Sequence, residues 1–323
     1  MRITLVVPGL LSLPAQALAR DASLSRIASL AVPVPESDLE GALLDDLGLD
    51  AARAPLAALG AGIDVANRWV IRADPVGIIV GRDDARLDGY VHDLRDDQRT
   101  TLLAMLNAHF TDDGLVFHAP GADAWFATST AQHAIDTTPV EHSIGRPLRS
   151  LLPVGPDAAR WRRWLTEVQM LLHEHPLAAD AARPVNALWF SGGGVLPDAA
   201  RIPSVRAIGA RVRNGDLLRG LARLQGDDAE IPATFGEIVG RTKREAIAVA
   251  LPRVGSLDAW EHAARDFLAP ALDALDRGAL SSVKLMADGE PGAASWHAER
   301  SSWLARLTRR RAQFVAPIPA APS

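Results

Sequence analysis

Pro184-Val-Asn-Ala-Leu-Trp-Phe-Ser-Gly-Gly-Gly-Val-Leu-Pro197 is the stretch around which the chain reads. Val185 to Phe190 is apolar and bracketed by Pro184 and a glycine run, the pattern of a short buried strand. Gly192, Gly193 and Gly194 then predict a sharp turn where backbone can come close to another group. A buried strand running into such a turn is where α/β folds place ligand sites, beyond the carboxyl ends of strands. A turn that only packs fits the same residues, so both readings stand. Asn186, polar within the strand, must find hydrogen-bond partners, either bracing the glycine turn or contacting a ligand.

Outward from this stretch, strands alternate with helices. Ile3–Val7 reads as a buried first strand ending in a Pro8-Gly9 turn. Arg2, the apolar run to Leu13 and Ala17-Leu18-Ala19 imitate a secretory signal, but the Pro-Gly break argues for a strand that stays attached. Ser37-Asp38-Leu39-Glu40 fits a capping box, with Ser37 as cap of a helix that runs to about Leu47. After the glycine turn, strands are expected at Val205–Val212, Ile247–Leu251 and Ser282–Met286. Helices are expected at Asp216–Leu224, Asp258–Arg277 and Trp296–Arg311. The texture differs in between. Trp69–Arg72 and Val76–Val80 read as strands split by a turn at Asp74-Pro75. Asp96–His109 is an amphipathic helix, and Leu115–His118 and Trp125–Thr128 are strands. The expectation is an α/β core of 1–67 plus 151–323, mostly parallel, with an inserted α+β subdomain at 68–150.

Composition narrows the function. The 323 residues are 48% hydrophobic and 23% charged, as in globular proteins. The net charge of −5 gives no basic footprint for nucleic acid. No apolar run has the length of a membrane span. The absence of cysteine removes disulfides and thiolate sites. Neither the dinucleotide fingerprint nor the phosphate loop is present. His133, Asp136 and His142 share a polar loop, read as solvated or, less simply, as a ligand site. Trp125, Trp161, Trp164 and Trp189 read as core.

Ile-Arg-Ala-Asp-Pro-Val at 71–76, Leu-Asn-Ala-His-Phe at 106–110, Glu-Val-Gln-Met-Leu-Leu-His-Glu-His-Pro at 167–176 and the 185–197 stretch together resemble the RpfE-type regulatory proteins of bacteria. Those are similar in turn to the archaeal-type cofactor-independent phosphoglycerate mutases of the alkaline phosphatase superfamily. The resemblance implies a three-layer α/β/α core with an inserted subdomain. For a working mutase it implies two divalent metals and a serine nucleophile, the metals stabilising charge on the transferring phosphoryl group.

Against that pattern the chain departs repeatedly. The first strand ends in Pro8-Gly9 where the mutases carry a metal-binding aspartate. Ser191-Gly192 stands in place of Arg-Gly. Asp288-Gly289 stands where Asp-His is needed. What remains is Ser37 in the nucleophile's place, and Asp258, Asp288 and His297 as metal ligands if the protein is active. Arg72 matches an arginine that the mutases use for substrate. Ligand contact is assigned to Arg72, Asp74, Asn186, Gly192, Gly193 and Gly194. The expectation is a catalytically degenerate mutase-like protein, cytoplasmic, with a regulatory or ligand-sensing role. Its partner would be a small phosphorylated ligand or a regulatory protein, with neither nucleic acid nor membrane. No cofactor is expected, or Mn2+ or Zn2+ if the protein is active. The alternative is a metal-dependent mutase or phosphohydrolase.

Overall fold

A computed structural model describes residues 1–82, 84–91, 94–121, 124–174, 185–198, 205–210, 213–227, 234–240, 245–289, 292–300 and 314–315. In chain order, β1 (Arg2–Val7) is followed by the short helix α1 (Ala15–Leu18), α2 (Ala22–Leu30), β2 (Val34–Glu36) and α3 (Leu39–Leu47). Next come α4 (Arg53–Ala61), β3 (Trp69–Val80), β4 (Ala85–Tyr90), α5 (Asp96–His109), β5 (Leu115–Gly121), β6 (Ala124–Ser129), α6 (Ala158–Glu174) and β7 (Ala187–Gly194). The chain closes with β8 (Val205–Gly209), α7 (Arg213–Leu224), α8 (Phe235–Gly240), β9 (Ala246–Ala250), α9 (Leu257–Ala263), α10 (Ala269–Asp276), β10 (Ser282–Gly289) and β11 (Gly292–Glu299). The fold is mixed α/β, as expected, and it divides into one unit of Met1–Asp50 with Ala199–Ser323 and another of Ala51–Asp198.

The first unit holds a sheet ordered β2-β11-β10-β1-β9-β8. β10, β1, β9 and β8 run parallel, while β11 and β2 add antiparallel at one edge. Ile3, Leu5 and Val7 alternate into a large core with Val283, Leu285, Ile247, Val249 and Trp260. β1 is therefore a central buried strand, as its sequence predicts.

Two expectations in this unit are corrected. Trp296 lies on β11, and not on a helix. β11 pairs antiparallel with β10, Gly292 standing opposite Gly289, a partnership that helical periodicity alone does not reveal. His297 to Glu299 lie on β11 as well, and residues 301–311 of the expected helix lie outside the described residues. The cap of α3 is Asp38, whose carboxylate accepts from the Gly41 N–H at 2.7 Å, while Ser37 is exposed one residue earlier. Asp38→Ala should therefore cost about 1–2 kcal/mol and Ser37→Ala less than about 0.5 kcal/mol, read from urea unfolding midpoints.

The second unit is built on β3. One edge of β3 takes β7, and the other takes β6 along its first half and β4 along its second, all antiparallel. The expected boundaries at 68 and 150 are thus displaced to 51 and 198. β7 pairs Phe190 with Ala73 and Trp189 with Asp74, so the 185–197 stretch belongs to this unit and not to the parallel sheet. Asp74-Pro75 makes no turn either. Pro75 sits inside β3, where the neighbour changes from β6 to β4. Its carbonyl accepts from Val91, and its missing N–H falls on that same interrupted edge, where no ladder bond is lost.

One face of this sheet packs on α5 and α6 through Trp69, Trp125, Trp161, Trp164 and Phe190. His133 is no solvated loop residue. It is buried edge-on against Trp69 at 4.8 Å, Trp161 at 5.3 Å and Trp164 at 5.7 Å between ring centres. Burial holds its pKa below the ordinary 6.5, with Asp157 pulling up and Arg160 pulling down. The folded ring thus prefers to be neutral, and the unfolded chain takes up its proton first. Stability should fall as pH drops below 6.5, and His133→Phe should flatten that dependence in unfolding curves taken on either side of it. His118 carries a shift of the same sign, from burial and then Arg68, so some slope should persist.

Candidate functional site

In the second unit, residues two apart on β3 share a face. Arg72 and Asp74 therefore point away from the tryptophan core, together with Val70 and Val76. Both are buried, at 2% and 1% exposure. The Arg72 guanidinium lies over the Phe126 ring, 5.4 Å from its centre. Arg72 stands opposite Ser191, itself buried, and Asp74 opposite Trp189, whose indole N–H donates to the Thr138 carbonyl at 2.8 Å. Ionised groups are costly to bury, and opposite charges about 7 Å apart along one strand face offset part of that cost.

The glycine triplet is not the expected turn. It continues β7 along β3, with a bulge where Gly194 meets Val70. Gly192 takes the left-handed conformation at φ 66°, and its N–H donates to the Thr137 hydroxyl at 3.1 Å. A Cβ on Gly193 would stand 2.5 Å from the Trp69 ring, and one on Gly194 2.4 Å from Ala52 Cβ. Close packing thus accounts for Gly193 and Gly194. Gly192 faces Arg53 and the backbone nitrogen of Ala54, in the first turn of α4. Arg53 is the neighbour that sequence reasoning missed, since nothing in its local pattern distinguishes it.

Asn186 is brought to neither Arg72 nor the glycines. It lies at the opposite end of β7, where its side chain accepts from Ile78 N at 2.7 Å and donates to Ile78 O at 2.8 Å. Its amide imitates a peptide unit and extends the β3–β7 ladder beyond the strand.

In the first unit, the carboxyl ends of β1, β9 and β10 are where the resemblance puts the metals. The loop after β1 crosses these ends. Val254 N–H donates to the Pro8 carbonyl at 2.8 Å, and Gly9 N–H donates to Asp288 Oδ1 at 2.5 Å. Gly9 is left-handed at φ 82°, and a Cβ there would stand 2.7 Å from the Val254 carbonyl oxygen. At Gly289 a Cβ would stand 2.3 Å from the backbone of Leu11 and Ser12.

The four residues assigned to chemistry do not gather here. Ser37 is exposed between β2 and α3. Asp258 is exposed in the first turn of α9, behind the Ser256 cap. His297 on β11 stands opposite Lys284, four residues before Asp288, hence about 13 Å from it along the strand. Among the described residues, no three His, Cys, Asp or Glu side chains form a metal-sized group. These residues do not fit the pair of divalent metals that the resemblance implies: Pro8 and Gly289 stand where it expects an aspartate and a histidine, and the backbone of Leu11 and Ser12 lies against Gly289.

Comparison with known proteins divides along the same line. Residues 47–178 match the family model of 2,3-bisphosphoglycerate-independent phosphoglycerate mutase. The 2,3-bisphosphoglycerate-independent phosphoglycerate mutase of Methanothrix thermoacetophila is 29% identical over 127 residues, which is 38% of this chain and 32% of that protein. The match thus spans about a third of the length of this curated relative. Two solved structures are similar over most of the chain. One is the cofactor-independent phosphoglycerate mutase from Thermoplasma acidophilum, with 17% identity, 93% of this chain and 90% of that one covered, and a TM-score of 0.42. The other is the PH0037 protein from Pyrococcus horikoshii, with 15% identity, 92% and 87% covered, and a TM-score of 0.46. The matched residues 47–178 include Arg53, Arg72 and Asp74, whereas Ser37, Asp258, Asp288 and His297 lie outside them. Among the described residues, no helix is long and apolar enough to cross a membrane.

Proposed function

We propose that this is a catalytically degenerate phosphoglycerate mutase-like protein that senses a small phosphorylated ligand in a regulatory role, in the cytoplasm. The observation that carries the reading is the Gly289 contact: the place where a mutase needs a metal-binding histidine has the backbone of Leu11 and Ser12 2.3 Å from any Cβ. Pro8 compounds it, since a proline side chain offers no donor to a metal. Without metals, the Ser37 hydroxyl is far from ionised near neutral pH and is a weak nucleophile.

Binding does not need those metals. Arg72 and Arg53, in the unit similar to the named mutases, supply guanidinium groups suited to a phosphate or carboxylate. The Gly192 segment brings backbone beside Arg53. A ligand held there could shift the protein between states only through the difference in its affinity for them. The second reading, an active metal-dependent mutase or phosphohydrolase, draws on the family match at residues 47–178.

Calorimetric titration of the full chain with 3-phosphoglycerate tests the sensing site. Binding is expected without turnover, weakened about tenfold or more by Arg53→Gln and by Arg72→Gln. Because Arg72 is buried, Arg53→Gln is the variant that separates lost binding from lost folding. Absence of binding, or binding that Arg53→Gln leaves unchanged, would sink the assignment.

A further inference from the structure

We infer that the first unit carries a binding site for a small phosphate monoester at the amino ends of β1 and β10, remote along the strands from Pro8 and Asp288. The sign is polar residues where strands should be apolar. Central parallel strands are covered on both faces and ordinarily read as unbroken hydrophobic runs. β1 and β10 obey this on one face, through Ile3, Leu5, Val283 and Leu285. The other face carries Arg2 and Thr4 on β1, and Ser282 and Lys284 on β10.

The register sets these residues in two rows. Arg2 pairs with Ser282 and Ser282 with Glu299, while Thr4 pairs with Lys284 and Lys284 with His297. Each row therefore crosses three strands on one face. Asp46, from α3, fixes the second row: its carboxylate accepts from the Thr4 hydroxyl at 2.7 Å and from the Lys284 ammonium at 3.0 Å. The Asp46 and Lys284 side chains are only 20% and 18% exposed, so the pair is held in place before any ligand arrives. Between the rows and Arg300 lies a cleft of about 500 Å³, a volume typical of small-molecule sites.

Its charge selects the ligand. Arg2, Lys284 and Arg300 outweigh Asp46 and Glu299 in the lining, in a chain whose net charge is −5. Two guanidinium groups and the remaining ammonium protons suit the oxygens of a phosphate. Glu299 and Asp46, as acceptors, suit hydroxyl groups on the organic part. A phosphate ester of a small polyol meets both demands, and inorganic phosphate meets only one.

Calorimetric titration of the full chain with glycerol 3-phosphate, and separately with inorganic phosphate, tests the site. Glycerol 3-phosphate should bind, and bind more tightly than inorganic phosphate. Arg2→Gln should weaken it about tenfold, and Arg163→Gln, an exposed change in the second unit, should leave it unchanged. Lys284→Gln should abolish it, but that change also strips Asp46 of its cation, so the exposed Arg2 is the deciding position. No heat with glycerol 3-phosphate, equal affinity for the two anions, or binding indifferent to Arg2→Gln would overturn the inference.

Discussion

Gly289→Ala is expected to lower stability by about 1–3 kcal/mol or more, and Gly289→His by more still, without either creating a metal site. One methyl group is enough, because its carbon would stand 2.3 Å from Leu11 C and Ser12 N. These are backbone atoms, so no side-chain rotation relieves the clash. The loop after β1 would have to lift. That movement pulls on the bond from Gly9 N–H to Asp288 and on the bond from Val254 N–H to the Pro8 carbonyl. An alanine substitution at the exposed Ser37 serves as the control. Urea unfolding followed by circular dichroism measures the difference. Wild-type stability in Gly289→His, together with tight Mn2+ binding, would mean that the loop yields and that the metal site is only one substitution away.

The parts of the fold legible in the sequence were those with strong local periodicity. Ile3–Val7, Asp96–His109 and the Trp161-Trp164-Val168-Leu172 stripe all appear as expected, because the strand is an apolar run buried throughout and each helix buries the face that its own spacing defines. What failed was partner choice. Val185–Phe190 is apolar enough for a central parallel strand, and nothing in it announces an antiparallel pairing with β3. That pairing is a long-range contact, and it moves the unit boundary by dozens of residues. Asp74-Pro75 misled for a related reason: a proline reads as a turn unless the edge on which its missing N–H falls is known to be interrupted. The site was legible only in part. Arg72 was picked out through the resemblance and Asp74 as a ligand contact in an expected turn, whereas Arg53 has no local signature. His133 looked solvated because its tryptophan neighbours are remote in sequence.

The second large effect concerns chemistry. Phosphoryl transfer by the named mutases' mechanism, as the resemblance implies it, rests on metals that supply several kcal/mol of charge stabilisation to the reacting oxygens. Here Asp288 is held by a backbone N–H, Asp258 is exposed on a helix, and His297 faces the row of Lys284 about 13 Å along the strand from Asp288. A loss of that stabilisation is a loss of orders of magnitude in rate, since each ~1.4 kcal/mol is tenfold. The deciding measurement is turnover of 3-phosphoglycerate to 2-phosphoglycerate, and its hydrolysis, by the purified full chain with Mn2+, Zn2+ or Mg2+ supplied in turn. The expected result is no metal-dependent product above the protein-free control, and the same result for Ser37→Ala and Asp288→Ala. Metal-dependent turnover that either substitution abolishes would contradict the degenerate reading and establish the active enzyme in its place.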